Sequence, residues 1–231
     1  MLDLSSVTTL FFDLDHTLWD FETNSALTFQ KIFEEENIPI PLQTFIEVYS
    51  PINHACWKLY RENKITHIEL RNLRLEKTFK ALHFDYSERL LSVVNERYIE
   101  YLSDFTHLFD GTFELLEKLQ KRYEMHIITN GFDSVQFHKM RNSGLQPFFG
   151  HVFTAEQVGY KKPSPEIFEY ALAQSGKTAM ECIMIGDSLE ADIEGALDLS
   201  IQAIHFNSHG EESHSACPIV HSLKEIEALL L

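Results

Sequence analysis

Positive charge is scarce in this chain: 19 lysines and arginines stand against 35 aspartates and glutamates, for a net charge of −16. A field of that sign repels nucleic-acid backbones and excludes a general DNA or RNA binder. Small anions stay open, because a metal ion or a helix N-terminus reverses the potential locally. Cysteine is scarcer still, with Cys56, Cys182 and Cys217 far apart and no CxxC. That odd, scattered set argues against a disulfide framework and for reduced thiols in a cytoplasmic protein. No HExxH and no Cys/His quartet is present, so a structural zinc site is not expected. Long apolar runs are missing, none nearing the ~18 residues that a membrane helix needs. The opening stretch MLDLSSVTTLFFDLD has no basic start and is interrupted by acids, so it does not read as a signal peptide. Internal repeats and low-complexity tracts are absent too.

Core-forming material is plentiful. Hydrophobic residues make up 44% of the 231 positions, 18 of them phenylalanine, which excludes disorder. The length suits one enzyme domain with a sizeable insert, or two small domains. Short apolar runs recur at Val7–Leu14, Met125–Thr129, Val152–Thr154, Cys182–Ile185 and Ile201–Phe206, with a weaker one at Ile219–Val220. They are continuous rather than alternating, as in strands buried on both faces.

Helical patterns separate the later runs. Thr112–Tyr123 spaces Phe113, Leu116, Leu119 and Tyr123 as one stripe; Phe132–Asn142, Pro165–Gln174, Ser188–Leu199 and Leu223–Leu230 follow. Strands alternating with helices predict an α/β fold with a parallel sheet. Between Leu18 and about Thr106 the pattern changes. Helix-like stretches at Asn24–Glu36, Leu42–Asn63, Ile68–Leu82 and Ser87–Ser103 succeed one another without a strand. The expected organisation is a core of residues 1–17 and 107–231, with a helical insert at 18–106 after the first strand.

Four polar clusters end or follow apolar runs, at the sheet edge where parallel α/β proteins bind ligands. Asp13 and Asp15 lie two apart on an extended chain and share a face. Such a pair serves as nucleophile and general acid/base, or holds a hard cation; a lone Asp-x-Asp is more often a turn or a cap. Thr129-Asn130-Gly131 brings a hydroxyl and backbone amides to a helix start, a place that favours phosphate. Lys162, before Pro163, is held extended and offers a point charge. Gly186-Asp187 ends a strand, and Asp192 lies one turn further on. Taken alone, the first three clusters read better as a turn, a cap and a solvated lysine, and the fourth reads also as a capping aspartate with first-turn acids. Together they make sense, because two like charges at ~4 Å repel by roughly 4 kcal/mol at an effective dielectric near 20. A phosphate reaches the carboxylates only with a cation, a lysine and helix amides around it.

This ordered set, Asp13-x-Asp15-x-Thr17, Thr129, Lys162-Pro163 and Gly186-Asp187-x4-Asp192, resembles the phosphatases of the haloacid dehalogenase (HAD) superfamily along the whole chain. The resemblance implies a Rossmann-like core with an inserted, mobile helical-bundle cap. It implies that Asp13 is the nucleophile and forms an aspartyl-phosphate, and that Asp15 is the general acid/base. Mg²⁺ would be held by Asp13, Asp187 and the carbonyl of Asp15. Thr129, Asn130, Gly131 and Lys162 would bind the phosphoryl group, with Asp192 in support. Many relatives carry Gly where this chain has His16. The runs Asp-Leu-Asp-His-Thr-Leu-Trp-Asp and Thr-Asn-Gly-Phe look like the noncanonical pyrimidine nucleotidase branch, which implies a nucleoside 5′-monophosphate substrate.

Within the insert, Trp57, Arg61 and Arg74 are candidates for substrate choice, by stacking on a base or meeting a phosphate; they read equally well as cap core and surface. His205, His209, His214 and His221 read as a polar surface loop. The alternatives are a sugar-phosphate phosphatase or phosphomutase, an L-2-haloacid dehalogenase, or an inactive scaffold. Asp15 counts against the dehalogenase, whose chemistry needs no acid there. The retained Asp13, Asp15, Lys162 and Asp187 count against the scaffold. Oligomeric state has no signature in the sequence.

Overall fold

The computed structural model describes residues 2–231. Strand β1 (Thr9–Phe12) leads into four helices, α1 (Phe21–Glu36), α2 (Leu42–Arg61), α3 (His67–Ala81) and α4 (Glu88–Tyr101). The chain continues through α5 (Thr112–Leu119), β2 (Glu124–Thr129), α6 (Asp133–Asn142), β3 (Val152–Thr154), α7 (Ala155–Val158), α8 (Pro165–Ser175) and β4 (Cys182–Gly186). A π-helical turn (Leu189–Glu194) then passes into α9 (Gly195–Leu197), followed by β5 (Gln202–Phe206), β6 (Ile219–Val220) and α10 (Leu223–Leu230). Contacts divide the chain into two compact units: the residues up to Asp20 with Thr106–Leu231, and Phe21–Phe105.

The first unit is an α/β layer structure. Its six strands lie in the order β3-β2-β1-β4-β5-β6, and every neighbouring pair is parallel. Burial on both faces explains the unbroken apolar strand sequences, since alternation belongs to sheets with a wet face. The chain builds outward from β1 to β2 and β3, then returns to place β4, β5 and β6 on the other side. The crevice where the order reverses, beside β1, is the usual ligand position. Register fixes what stands there. Phe12 pairs with Ile127 on one side and Ile185 on the other. The Asp13 amide still donates to the Ile185 carbonyl at 2.8 Å, so Asp13 leaves the sheet at its C-terminal edge.

Local differences from the sequence pattern have simple causes. Strand β1 keeps only Thr9–Phe12 of the apolar run Val7–Leu14. In α5 the buried residues are Thr112, Leu115, Leu116 and Leu119, while Phe113 is exposed and lies beside the Phe148 ring at 6.0 Å. The helix is turned so that its C-terminal end meets α10, where Tyr123 donates to the Leu230 carbonyl at 2.9 Å and Lys118 pairs with Glu227. Helix α7 is a single capped turn that no periodicity announces: Thr154 Oγ1 accepts from Gln157 N, and Gly159 closes it at φ +85°.

The second unit is an all-helical bundle. Phe29 is its packing centre, with the rings of Phe45, Tyr49 and Tyr98 at 4.7, 4.7 and 4.6 Å. Helix α3 starts on a reciprocal capping box between Thr66 and Glu69, which satisfies two otherwise orphaned amide donors. Polar groups share the interior: Ser25 and Tyr98 are hydrogen-bonded at 2.9 Å, and Arg74 reaches Asn53.

Beneath the sheet edge, His126 on β2 is buried between Phe11, Phe153 and His151. Burial, aided by His151, pushes its pKa from 6.5 down to about 4. The unfolded chain therefore binds a proton in this interval that the folded chain refuses, so stability is full above pH 6.5 and falls as the pH drops toward 4. His126→Phe is expected to flatten that acid limb. The check is melting temperature against pH for both proteins; parallel curves would assign the acid loss elsewhere.

Candidate active site

Lys162 is the hub of the sheet edge. Its side chain is almost fully buried; the ammonium donates to Asp13 Oδ1 at 2.6 Å and to the Ile128 carbonyl at 2.5 Å, and it forms an ion pair with Asp192 Oδ1 at 2.7 Å. Its backbone is held as firmly. The Lys162 amide donates to Asn130 Oδ1 at 2.8 Å, and Asn130 Nδ2 returns a bond to the Lys162 carbonyl at 3.0 Å. Asn130 thus acts with its side chain as well as marking a helix start, and it ties the β2 end to the lysine loop. Burial alone would lower the Lys162 pKa; the Asp13 and Asp192 carboxylates outweigh it and raise the value above that of a free lysine.

Asp13 is buried, and desolvation pushes its carboxyl well above the usual range; Lys162 opposes that shift, and Asp192 and Asp187 reinforce it. Asp187, just after β4, is raised by burial too, and His209 Nε2, 3.4 Å from its Oδ2, opposes the rise. Asp192 is placed by the π-helical turn. Its Oδ2 accepts from the Ser188 amide at 3.0 Å, which frees Oδ1 for Lys162. Gly186 makes this approach possible, since a Cβ there would stand 2.3 Å from Asp192 Oδ2.

Ligand oxygens of Asp13, Asp187 and Asp192 lie within 4.8 Å of one another. Three carboxylates share a single buried ammonium, so the ionised set carries a surplus of negative charge in a poorly solvated place. All-oxygen donors of this kind suit a hard divalent cation, which would relieve the desolvation that burdens Asp13 and Asp187.

Thr129 ends β2, the strand beside β1, and Gly131 follows two residues later. Thr129 Oγ1 accepts from the Gly131 amide at 3.1 Å and from Gln136 Nε2 at 2.7 Å. Gly131 leaves room for the Gln136 side chain in this position, since a Cβ would fall 1.9 Å from Gln136 Nε2 and displace it. Asp15 is half-buried, with Gln136 on one oxygen at 2.9 Å and Lys139 on the other at 2.5 Å. The sheet edge therefore brings Asp13, Asp15, Thr129, Asn130, Gly131, Lys162, Asp187 and Asp192 together.

The remaining candidates belong to the helical unit. Trp57 and Tyr60 meet edge to face at 5.6 Å near the end of α2, where Arg61 is its last residue. Arg74 is an interior residue: it bonds Asn53 Oδ1 at 3.2 Å and lies 4.7 Å from the Tyr98 ring centre.

Three residues near the site are not marked by any sequence motif. Gln136 and Lys139 occupy the buried stripe of α6 with Val135 and Met140, so a signal existed: polar residues at core-facing positions. His205 is the third. It belongs to β5 rather than to a surface loop and is fully buried; its Nε2 meets the Asp187 carbonyl at 2.8 Å and its Nδ1 meets His214 at 2.8 Å. Its apolar neighbours Ala203, Ile204 and Phe206 carry it inside.

Comparison with known proteins agrees with this geometry. A family model described as haloacid dehalogenase-like hydrolase matches residues 7–199. The HAD-hydrolase YfnB of Bacillus subtilis is 36% identical over 188 residues, 81% of this chain and 78% of its own. A magnesium-bound crystal form of YfnB superimposes with a TM-score of 0.88 at 30% identity, covering 98% of this chain and 99% of that one. Two proteins named pyrimidine 5′-nucleotidase are similar nearly end to end. PynA of Streptococcus pneumoniae is 34% identical, covering 96% of this chain and 92% of its own; YjjG of Escherichia coli is 30% identical, covering 96% of each. The sheet order, the edge cluster and a family match over most of the length lead to one conclusion: the chain belongs to the haloacid dehalogenase-like hydrolases.

Proposed function

We propose that the protein is a Mg²⁺-dependent phosphomonoesterase acting through an aspartyl-phosphate, with pyrimidine nucleoside 5′-monophosphates as its substrate class. The observation that carries the chemistry is the Asp13–Lys162–Asp192 bridge. It holds one carboxylate in a single orientation at the sheet edge, with Asp187 alongside and Thr129 at the end of the neighbouring strand β2. Similarity to PynA and YjjG, which extends through the helical unit, carries the substrate class.

In this reading Asp13 attacks phosphorus and the leaving ribose oxygen takes a proton from Asp15. Asp15 then removes a proton from the water that hydrolyses the acyl-phosphate. Lys162 fixes the nucleophile through Oδ1 and places positive charge beside it, while Thr129 and the amides at Asn130 and Gly131 receive phosphoryl oxygens. Asp13, Asp187 and the Asp15 carbonyl would hold the magnesium, with Asp192 in support. The ion supplies charge neutralisation between a phosphate dianion and the acidic pocket. In this reading the helical unit serves as the cap, and Trp57 and Arg61 are its candidates for contacts that select the nucleotide, whereas the interior position of Arg74 takes it out of that set.

Asp13→Asn is expected to abolish turnover, a loss of about 10³-fold or more, with an unchanged far-UV circular dichroism spectrum. Retained hydrolysis by the folded variant would remove Asp13 from the reaction. The substrate is tested by phosphate release from a panel of nucleotides and sugar phosphates, with Mg²⁺ and again with EDTA. Release from UMP, dUMP or dTMP above the sugar phosphates, lost in EDTA, is the expected result. Metal-dependent release from sugar phosphates alone would keep the chemistry and discard the nucleotide class.

A further inference from the structure

Two proton transfers fall to Asp15, and they require its carboxylate to be held still. We propose that Lys139 and Gln136 are positioning residues for Asp15, a two-point clamp supplied by helix α6. This inference rests on the reading of Asp15 as the general acid/base.

Lys139 is a costly residue to place where it is. Its side chain is 2% exposed, against 21% for its partner Asp15. A buried ammonium is tolerated only when paired, and Asp15 and Trp19 both lie in reach of this one. Asp15 Oδ1 lies 2.5 Å from its Nζ, a short charge-assisted bond. The Trp19 ring centre lies 4.0 Å away, within cation–π range. Trp19 is itself fixed, fully buried and bridged through the backbone to Asp15. Neither Lys139 nor Trp19 belongs to the four clusters that define the site.

Gln136 stands one turn earlier on the same face of α6. Its amide nitrogen donates to Asp15 Oδ2 at 2.9 Å and to Thr129 Oγ1 at 2.7 Å, so one group joins the acid/base to the hydroxyl expected to meet the phosphoryl group. The missing side chain of Gly131 leaves the space for it. Each carboxylate oxygen of Asp15 thus accepts one bond from α6. A carboxylate has about four acceptor positions, so the clamp fixes orientation and leaves lone pairs for proton transfer. Reactions of this kind depend steeply on placement.

A positioning role leaves a mark that mere structural support does not. The ratio kcat/KM reports steps up to departure of the leaving group, where Asp15 acts as acid. A ribose oxygen needs that proton; p-nitrophenolate leaves with little help. Lys139→Met is therefore expected to lower kcat/KM for UMP by about tenfold or more, with p-nitrophenyl phosphate falling no more than about threefold. Lys139→Arg should recover part of the UMP loss. Equal losses on both substrates, or no loss on either, would overturn the proposal. If Lys139→Met does not fold, Lys139→Leu takes its place: a selective loss on UMP supports the clamp, and equal or absent losses overturn it. Wild-type enzyme inactive on both substrates would instead defeat the parent reading, so the two failures are distinguishable.

Discussion

A lysine ammonium buried among two carboxylates and a backbone carbonyl is stable only if everything around it is fixed, and much of the α/β unit can be understood as fixing it. Lys162 takes one contact from the end of β1, one from β2 and one from the turn after β4. Three neighbouring elements thus converge on one charge, and the register of the sheet decides that they can. Losing the ammonium would leave buried carboxylates facing one another without their counter-charge, a change of order 3–5 kcal/mol for a broken buried pair. The glycines follow from the same crowding. Gly186 admits Asp192 to the lysine, and Gly131 admits Gln136 to Asp15 and Thr129.

The same constraint explains why an acidic protein suits an anionic substrate. The far field of a chain with net charge −16 repels phosphate. At the sheet edge the buried Lys162 and the amides that open α6 oppose that sign over a few ångströms, and in the proposed reaction a cation on the aspartates would complete the reversal. Steering is sacrificed, and local charge does the binding. The carboxylates are arranged in two groups with different partners: Asp13, Asp187 and Asp192 face one another, whereas Asp15 is separately tied to α6. In the proposed reaction that division would match two jobs, one for phosphorus and metal and one for protons.

Much of this was legible in the sequence, for physical reasons. Strands buried on both faces write themselves as apolar runs, and the acids and hydroxyl that end them are conspicuous against that background. So Asp13, Thr129 and Asp187 stood out, as did the strand–helix alternation and the strandless stretch between. What stayed hidden depends on contacts distant in sequence. Periodicity gave α5 a stripe through Phe113, but the packing of α10 turned the helix away from it. His205 looked like loop because its neighbours downstream are polar, yet it is carried inside by β5. Lys139 looks like any surface lysine until Asp15 and Trp19, more than a hundred residues earlier, are seen to cover it. The reciprocal bonds between Asn130 and Lys162 belong to the same class.

The account turns on Asp13 becoming phosphorylated, and that is open to direct test. Enzyme in excess over UMP, with Mg²⁺, would be quenched into borohydride at successive times within one turnover. Borohydride reduces an acyl-phosphate to the alcohol, so the trapped residue is read as homoserine by peptide mass spectrometry. Homoserine at position 13, rising and falling as phosphate appears, is the expected result. Phosphate release with Asp13 unmodified at every time, or the mark on Asp15 instead, would contradict it.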